Sequence, residues 1–172
     1  MSWTSPKTWS VGDLLTSSDM NTYVRDNTSF LSQPPRGRIY ASSAQSIPNL
    51  TPTQISPTAT DFANGITAAS GSLTIVTAGT YLVNAIITFG GTVGSDSFFA
   101  AYIYKNGTAV RQGSTGVPTG GHGAATVADL VHGLVAGDVL TFWTSQITGG
   151  AYSIDSTGTP QDTSLSALWV SF

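Results

Sequence analysis

Cysteine is missing from the 172 residues, so a disulfide framework, a thiol nucleophile and a Cys-ligated metal are all excluded. Glutamate is missing too: the nine acids are all Asp, against six Lys plus Arg, for a net charge of −3. A chain with so few cations presents no basic face to nucleic-acid phosphates. Charged residues make up only 9% of the chain, whereas a helical bundle would want many Glu, Lys and Leu. No apolar run reaches membrane-spanning length. The opening residues MSWTSPKTWS lack a positive region followed by an apolar core, so they do not read as a secretory signal. A protein that works outside a cell without such a signal is either released by lysis or carried in a particle, and neither a membrane nor nucleic acid is expected among the partners.

What is abundant is Ser, Thr and Gly, in short runs of alternating apolar residues. In Ser72 to Phe89, two such runs meet at Thr77-Ala78-Gly79, and they read as adjacent strands at the centre of the fold. Tyr81, Val83, Ala85 and Ile87 share one face of the second run, and Leu82, Asn84, Ile86 and Thr88 the other. Asn106-Gly107 between alternating runs predicts a primed two-residue hairpin turn over Ser97 to Val110, and Asn64-Gly65 predicts another turn. Further strands are expected over Ile39 to Ala41, Ala124 to Leu134, Asp138 to Ile147, Ala151 to Ile154 and Ser164 to Phe172. The fold class is therefore all-β: an antiparallel jelly-roll sandwich of about ten strands, with a short helical leader.

The leader, residues 1–33, differs in composition from the rest. Ser18 is a plausible N-cap, and Met20, Tyr23, Val24, Asn27, Phe30 and Leu31 recur at helical spacing. A helix of about fourteen residues is marginal alone in water, so the stripe needs burial against something. The stretch from Gln33 to Arg38, with residues 34–38 as its core, reads as a stiff Pro-rich hinge ahead of a head spanning residues 39–172. Trp3, Trp9, Leu14, Leu15, Met20, Tyr23, Val24, Phe30 and Leu31 are the candidate particle-anchoring residues.

The usual catalytic signatures do not assemble. His122 and His132 have no partner at ligand spacing, and Asp129 and His132 fall on opposite faces of one strand. The run Thr119 to Gly123 lacks the lysine and following helix of a phosphate loop. There is no Gly-x-Ser-x-Gly elbow. The expectation is a protein that is not an enzyme and takes no cofactor or metal. The last strand is apolar on both faces, with Leu165, Ala167 and Trp169 on one and Leu168, Val170 and Phe172 on the other. A two-layer sandwich leaves one face of each strand to water, so this strand asks for cover from outside. Together with the aromatic second face of Phe98 to Tyr104, it makes Phe98, Tyr102, Tyr104, Leu168, Trp169, Val170 and Phe172 the candidate subunit interface. The Gly-rich stretches Gly90 to Asp96 and Gly113 to Gly123 read as mobile loops, with Ser95, Asp96, Thr119 and His122 as candidate ligand contacts.

Two resemblances follow from these residues. Gly79-Thr80-Tyr81-Leu82, Tyr104-Lys105-Asn106-Gly107, Leu134-Val135-Ala136-Gly137-Asp138-Val139-Leu140 and the closing strand to Phe172 resemble the complement globular-head and tumour-necrosis-factor jelly rolls, over Arg38 to Phe172. That resemblance implies a homotrimer packed through its central strands, a binding module rather than an enzyme. The calcium sites of some members have no matching loop acids here. The run Thr8-Trp9-x-x-Gly12-Asp13-Leu14-Leu15-Thr16-x-x-Asp19-Met20-Asn21-x-Tyr23-Val24-Arg25-Asp26-Asn27 is similar to the opening of many tailed-bacteriophage virion proteins. It implies a component of the outer surface of a phage particle, either a capsid decoration or head fibre, or a tail fibre, spike or tip. Its partners would be itself, other virion proteins through the leader, and a host cell-surface glycan for host attachment. A free bacterial carbohydrate- or protein-binding module and a glycan hydrolase remain the alternative readings.

Overall fold

The computed structural model describes residues 3–56, 58–156 and 163–172. The strands, in chain order, are β1 (Arg36–Ala41), β2 (Ser46–Ile47), β3 (Thr53–Gln54), β4 (Thr58–Asn64), β5 (Ile66–Ala69), β6 (Ser72–Ile75) and β7 (Gly79–Thr92). They continue with β8 (Ser97–Lys105), β9 (Thr108–Val117), β10 (His122–Leu134), β11 (Val139–Ile147), β12 (Tyr152–Ser153) and β13 (Ser164–Ser171). One sheet has the order β10-β7-β13-β1-β4, and the other β5-β6-β11-β8-β9 with β3 also on β11. Both sheets are antiparallel throughout. Their facing sides make one core, with Ile39, Tyr81, Val83, Ile87, Leu165, Leu73, Phe99, Ile103, Leu140 and Phe142 among its fully buried side chains. The Tyr81 phenol donates to the Thr77 carbonyl at 2.7 Å, and burial pushes its pKa up to about 12. This is the antiparallel jelly roll with a short helical leader that the sequence pattern implies.

Four expectations need correction. The Ser72 to Phe89 runs are consecutive but not paired: β6 lies between β5 and β11, while β7 lies in the other sheet between β10 and β13. The Thr77-Ala78-Gly79 corner therefore crosses the sandwich, because each run buries one face against the same core from opposite sides. Arg36 to Arg38 is strand rather than hinge, since β1 already pairs with β13 and β4 from Arg36 onward. Within this stretch the last proline is Pro35, and nothing from Arg36 to Arg38 prevents ladder formation.

Gly113 to Gly123 is mostly strand, with β9 running to Val117 and β10 starting at His122. Its glycines serve close approach. A Cβ on Gly113 would collide with the Thr126 carbonyl oxygen, and one on Gly123 with the Phe99 ring. Likewise β7 takes up Gly90 to Thr92, leaving a shorter connection to β8. The fourth correction concerns the helix cap, which is Thr16 rather than Ser18. The Thr16 side chain accepts from the Asp19 amide, and Asp19 reaches back to the Thr16 amide, a capping box. The helix then runs through Ser17–Asp19, a π-helical Met20–Asp26 and Asn27–Ser32. The Asn106-Gly107 turn has positive φ at both residues, as a primed turn requires.

Candidate functional site

Alternation along β7, β13, β10 and β1 sends every second side chain away from the core. The register aligns these outward positions into rows across the sheet. One row places Leu130, Leu82, Leu168, Arg36 and Asn64 side by side, and the next Ala128, Asn84, Ser166, Arg38 and Phe62. Leu82, Leu130, Leu168 and Val170 are 43%, 38%, 40% and 47% exposed, so a sheet face that should be polar is aliphatic at its centre. A groove of about 380 Å³ crosses it, lined by Arg36, Phe62, Leu82, Asn84, Ser166 and Leu168. Arg38 stands 4.0 Å from Asp61. Arg36 is the one cation of the six with no carboxylate within 4.0 Å among the described residues.

The outward face of the other sheet is aromatic at its centre, where the rings cover one another, while Phe98 and Ile147, paired at its end, are 39% and 47% exposed. Tyr104 stacks on Trp143 with ring centroids 4.7 Å apart, and Tyr102 meets Tyr104 edge-on at 6.3 Å. The polar tips are paired locally: Tyr102 Oη lies 2.9 Å from Ser145 Oγ, and Trp143 Nε1 donates to Thr141 Oγ1 at 3.0 Å.

The expected interface residues are thus divided. Phe98, Tyr102 and Tyr104 lie on this second face, Leu168 and Val170 on the first, and Trp169 points into the core, where it is buried. Phe172 sits at the end of β13 in a ring cluster with Trp169, Phe30 and Trp3. One flat contact cannot take both sets, because they face opposite ways across a two-sheet sandwich about 10 Å thick. Period-2 spacing names the outward residues of a strand but not which sheet the strand joins. For the same reason Leu82, Leu130, Phe62 and Arg36 escape a reading of the sequence, although the alternation of β7 already marks Leu82 as opposite to Tyr81.

The leader residues separate in a similar way. Phe30 is buried, edge-on to Trp169 at 4.9 Å, and Trp3 packs 6.1 Å from it. Asn27 is buried beside it and clamps Thr4, accepting from its amide at 3.0 Å and donating to its carbonyl at 2.7 Å. Trp3 and Phe30 therefore join the head's core rather than offering themselves outward. Trp9, Leu14, Leu15, Met20, Val24 and Leu31 are exposed, and Tyr23 is partly so. Lys7 ties the stretch before the helix to Asp19 at 3.2 Å and lies over the Trp9 ring. The Thr16 hydroxyl, followed by Lys7, holds the Asp19 carboxyl below its ordinary range.

At the far end of the sandwich, Asp96 accepts from the Thr119 amide at 3.1 Å and faces its hydroxyl at 3.4 Å. Ser95 is held through its carbonyl by Ser97 Oγ, and His122 is exposed at the start of β10. Asp96 also lines a shallow pocket of about 250 Å³ with Ser97, Gly116, Val117 and Pro118. Asp96 and Thr119 are thus brought together, with Ser95 adjacent and His122 on the neighbouring strand. His132 Nδ1 lies 3.2 Å from Thr80 Oγ1, and Asp129 pairs with Arg111. Among the described residues no group of three or more His, Asp or Glu could hold a metal ion. No helix among them is long and apolar enough to cross a membrane.

Opposite that end, Asp138 forms a clamp that the sequence reading missed. Burial alone would raise its pKa. The Val135 amide at 2.9 Å, Lys105 at 2.9 Å and Asn106 Nδ2 at 2.7 Å together outweigh that effect and hold the carboxyl below its ordinary range. The Leu-Val-Ala-Gly-Asp run is therefore a structural turn that ties the β8–β9 hairpin to β11.

No protein-family model matches the sequence, and no curated protein sequence is similar to it. Solved structures do match. A crystal structure of murine APRIL at pH 5.0 superposes with a TM-score of 0.59, at 14% identity, over 79% of this chain and 98% of that one. Eiger TNF from S. frugiperda gives a TM-score of 0.58 at 13% identity, over 81% and 94%. At such identities the likeness is one of fold, and the fold is the tumour-necrosis-factor-like jelly roll.

Proposed function

We propose that the protein is a homotrimeric structural and binding component of a bacteriophage particle surface, with the leader attached to the particle and the jelly roll displayed outward. The observation that carries this reading is the aliphatic face of the β10-β7-β13-β1-β4 sheet. Leu82, Leu130, Leu168 and Val170 form a continuous exposed apolar surface, of a kind that marks contact sites in stable proteins. Three copies packed about an axis through this face would bury it in all subunits alike. The exposed Trp9, Leu14, Leu15, Met20, Val24 and Leu31 are then the surface left for other virion proteins. The Asp96 and Thr119 end stands free as the place for a host-surface glycan. The likeness of the leader to phage virion openings supports a particle over a freely secreted module. The protein acts by binding, and no catalytic step is assigned to it.

Sedimentation equilibrium of the full chain tests the assembly: three times 17.8 kDa is expected, and a soluble monomer at micromolar concentration overturns it. Imaging of particles carrying the labelled protein tests the location. Loss of co-purification on deleting residues 1–15 together with Met20→Ser, Val24→Ser and Leu31→Ser is expected, and retention overturns the anchoring role of the leader. That deletion also removes Trp3, so a Trp3→Ala variant separates lost anchoring from lost packing.

A further inference from the structure

We infer that Asn64 is a site of spontaneous deamidation whose product carboxylate pairs with Arg36 and thereby changes the charge of the exposed sheet face. The chain contains two Asn-Gly steps, Asn64-Gly65 and Asn106-Gly107. In such a step the Gly amide nitrogen, after losing its proton to base, attacks the Asn side-chain carbonyl carbon. A C–N bond forms, ammonia leaves, and a five-membered imide results. Water then opens the ring at either carbonyl, giving Asp or its isomer linked through the side chain. Glycine favours the attack because it has no side chain to hinder the approach.

The fold treats its two steps differently. Asn106 is held at both side-chain atoms: Nδ2 donates to Asp138 at 2.7 Å, and Oδ1 accepts from the Val139 amide at 2.8 Å. Swinging its carbonyl toward Gly107 would break both bonds and leave the Asp138 clamp short of a donor. Asn64 ends the exposed edge strand β4 and is itself exposed, with one long bond of 3.4 Å from Nδ2 to the Gln33 carbonyl. The fold also keeps the vulnerable glycine in place. Gly65 has φ +63°, and a Cβ there would meet Pro35 at 3.1 Å. A bulkier residue that would slow the reaction is therefore disfavoured at this turn.

The consequence follows from the register. Asn64 is the direct cross-strand partner of Arg36, and such pairs hold their Cβ atoms roughly 4.5–5.5 Å apart. Both line one groove of about 330 Å³ with Phe62 and Ala63. Arg36 is also the cation that has no carboxylate within 4.0 Å among the described residues. A negative charge at position 64 would supply one. Covering an unpaired cation with another subunit is costly, so the modified protein should self-associate more tightly. This last step rests on the assembly reading, whereas the site and the pairing do not.

Incubation of the folded full chain at mildly alkaline pH, followed by peptide mass spectrometry, tests the site. The Asn64 peptide should gain the mass of one deamidation severalfold faster than the Asn106 peptide. In urea the two should convert at similar rates. Equal rates in the folded protein, or faster loss of Asn106, overturn the assignment. The pairing is tested by NMR titration of the new carboxyl in Asn64→Asp. Its pKa should be lowered and should return toward the ordinary value in Asn64→Asp combined with Arg36→Gln, and no difference between the two overturns the pairing. Sedimentation of Asn64→Asp should show tighter association than the parent chain. Unchanged association of a trimeric protein removes the consequence. A monomeric parent removes the assembly reading while the first two measurements still decide the site.

Discussion

The two outward faces of the sandwich both carry apolar side chains but arrange them differently. On the β5-β6-β11-β8-β9 sheet, Tyr102, Tyr104 and Trp143 lie against one another, and their hydroxyl and indole groups find Ser145 and Thr141 on the same face. Amphipathic rings can shield their own surface while keeping a polar edge in water. On the β10-β7-β13-β1-β4 sheet, Leu82, Leu130, Leu168 and Val170 have no polar edge and cannot reach far across the sheet. They remain near 40% exposed. Aromatic side chains with polar partners beside them thus cover the centre of an outward face that aliphatic ones leave open. Only Phe98 and Ile147, at the end of the aromatic face, stay comparably exposed among these residues.

The largest expected effect breaks this contrast directly. Leu82→Asp should convert the proposed trimer to monomers in sedimentation equilibrium, because Leu82 lies between Leu130 and Leu168 with no cation opposite it, and the new charge would be unpaired at the centre of the aliphatic face. Tyr102→Asp, at the self-covered centre of the other face, should leave the assembled mass unchanged. Equal effects would remove the distinction between the faces. Next in size, Phe30→Ala should lower unfolding stability by about 3–5 kcal/mol in a denaturant titration. Its ring is buried between leader and head, so a negligible loss would show the leader to be independent of the sandwich.

A third effect comes from the Asp138 clamp. The folded carboxyl has a depressed pKa, so its stabilisation is complete above the unfolded value and is lost as pH falls through the folded one. Acid unfolding of the parent chain should therefore steepen below the ordinary carboxyl range, and Asp138→Asn should flatten that dependence. The smallest effect is on the aromatic face. Tyr102→Phe removes one hydrogen bond with Ser145 and should cost about 1 kcal/mol in thermal unfolding, with assembly intact.

Much of the architecture was legible from alternation alone. Period 2 marked Tyr81, Val83, Ala85 and Ile87 as one face of β7, and all four are buried. Asn106-Gly107 marked its hairpin, because only residues tolerant of positive φ fit a primed turn. The helical spacing in the leader announced a helix, and Phe30 within it found burial. The Gly-rich stretch from Gly113 misled because composition cannot tell a glycine that gives freedom from one that makes room. Gly113 makes room for β10.

By itself, then, the sequence determined which residues share a face of each strand and where the tightest turns fall, since both depend on backbone geometry over a few residues. Only the tertiary structure decided which sheet each strand joins, and so which outward face is aliphatic. It also decided that Trp169 points inward to Phe30, that Asp138 gathers Lys105 and Asn106, and that Arg36 lies opposite Asn64. Those pairings join residues 28 to 139 positions apart. They are set by how two sheets close over one core, which no local pattern encodes.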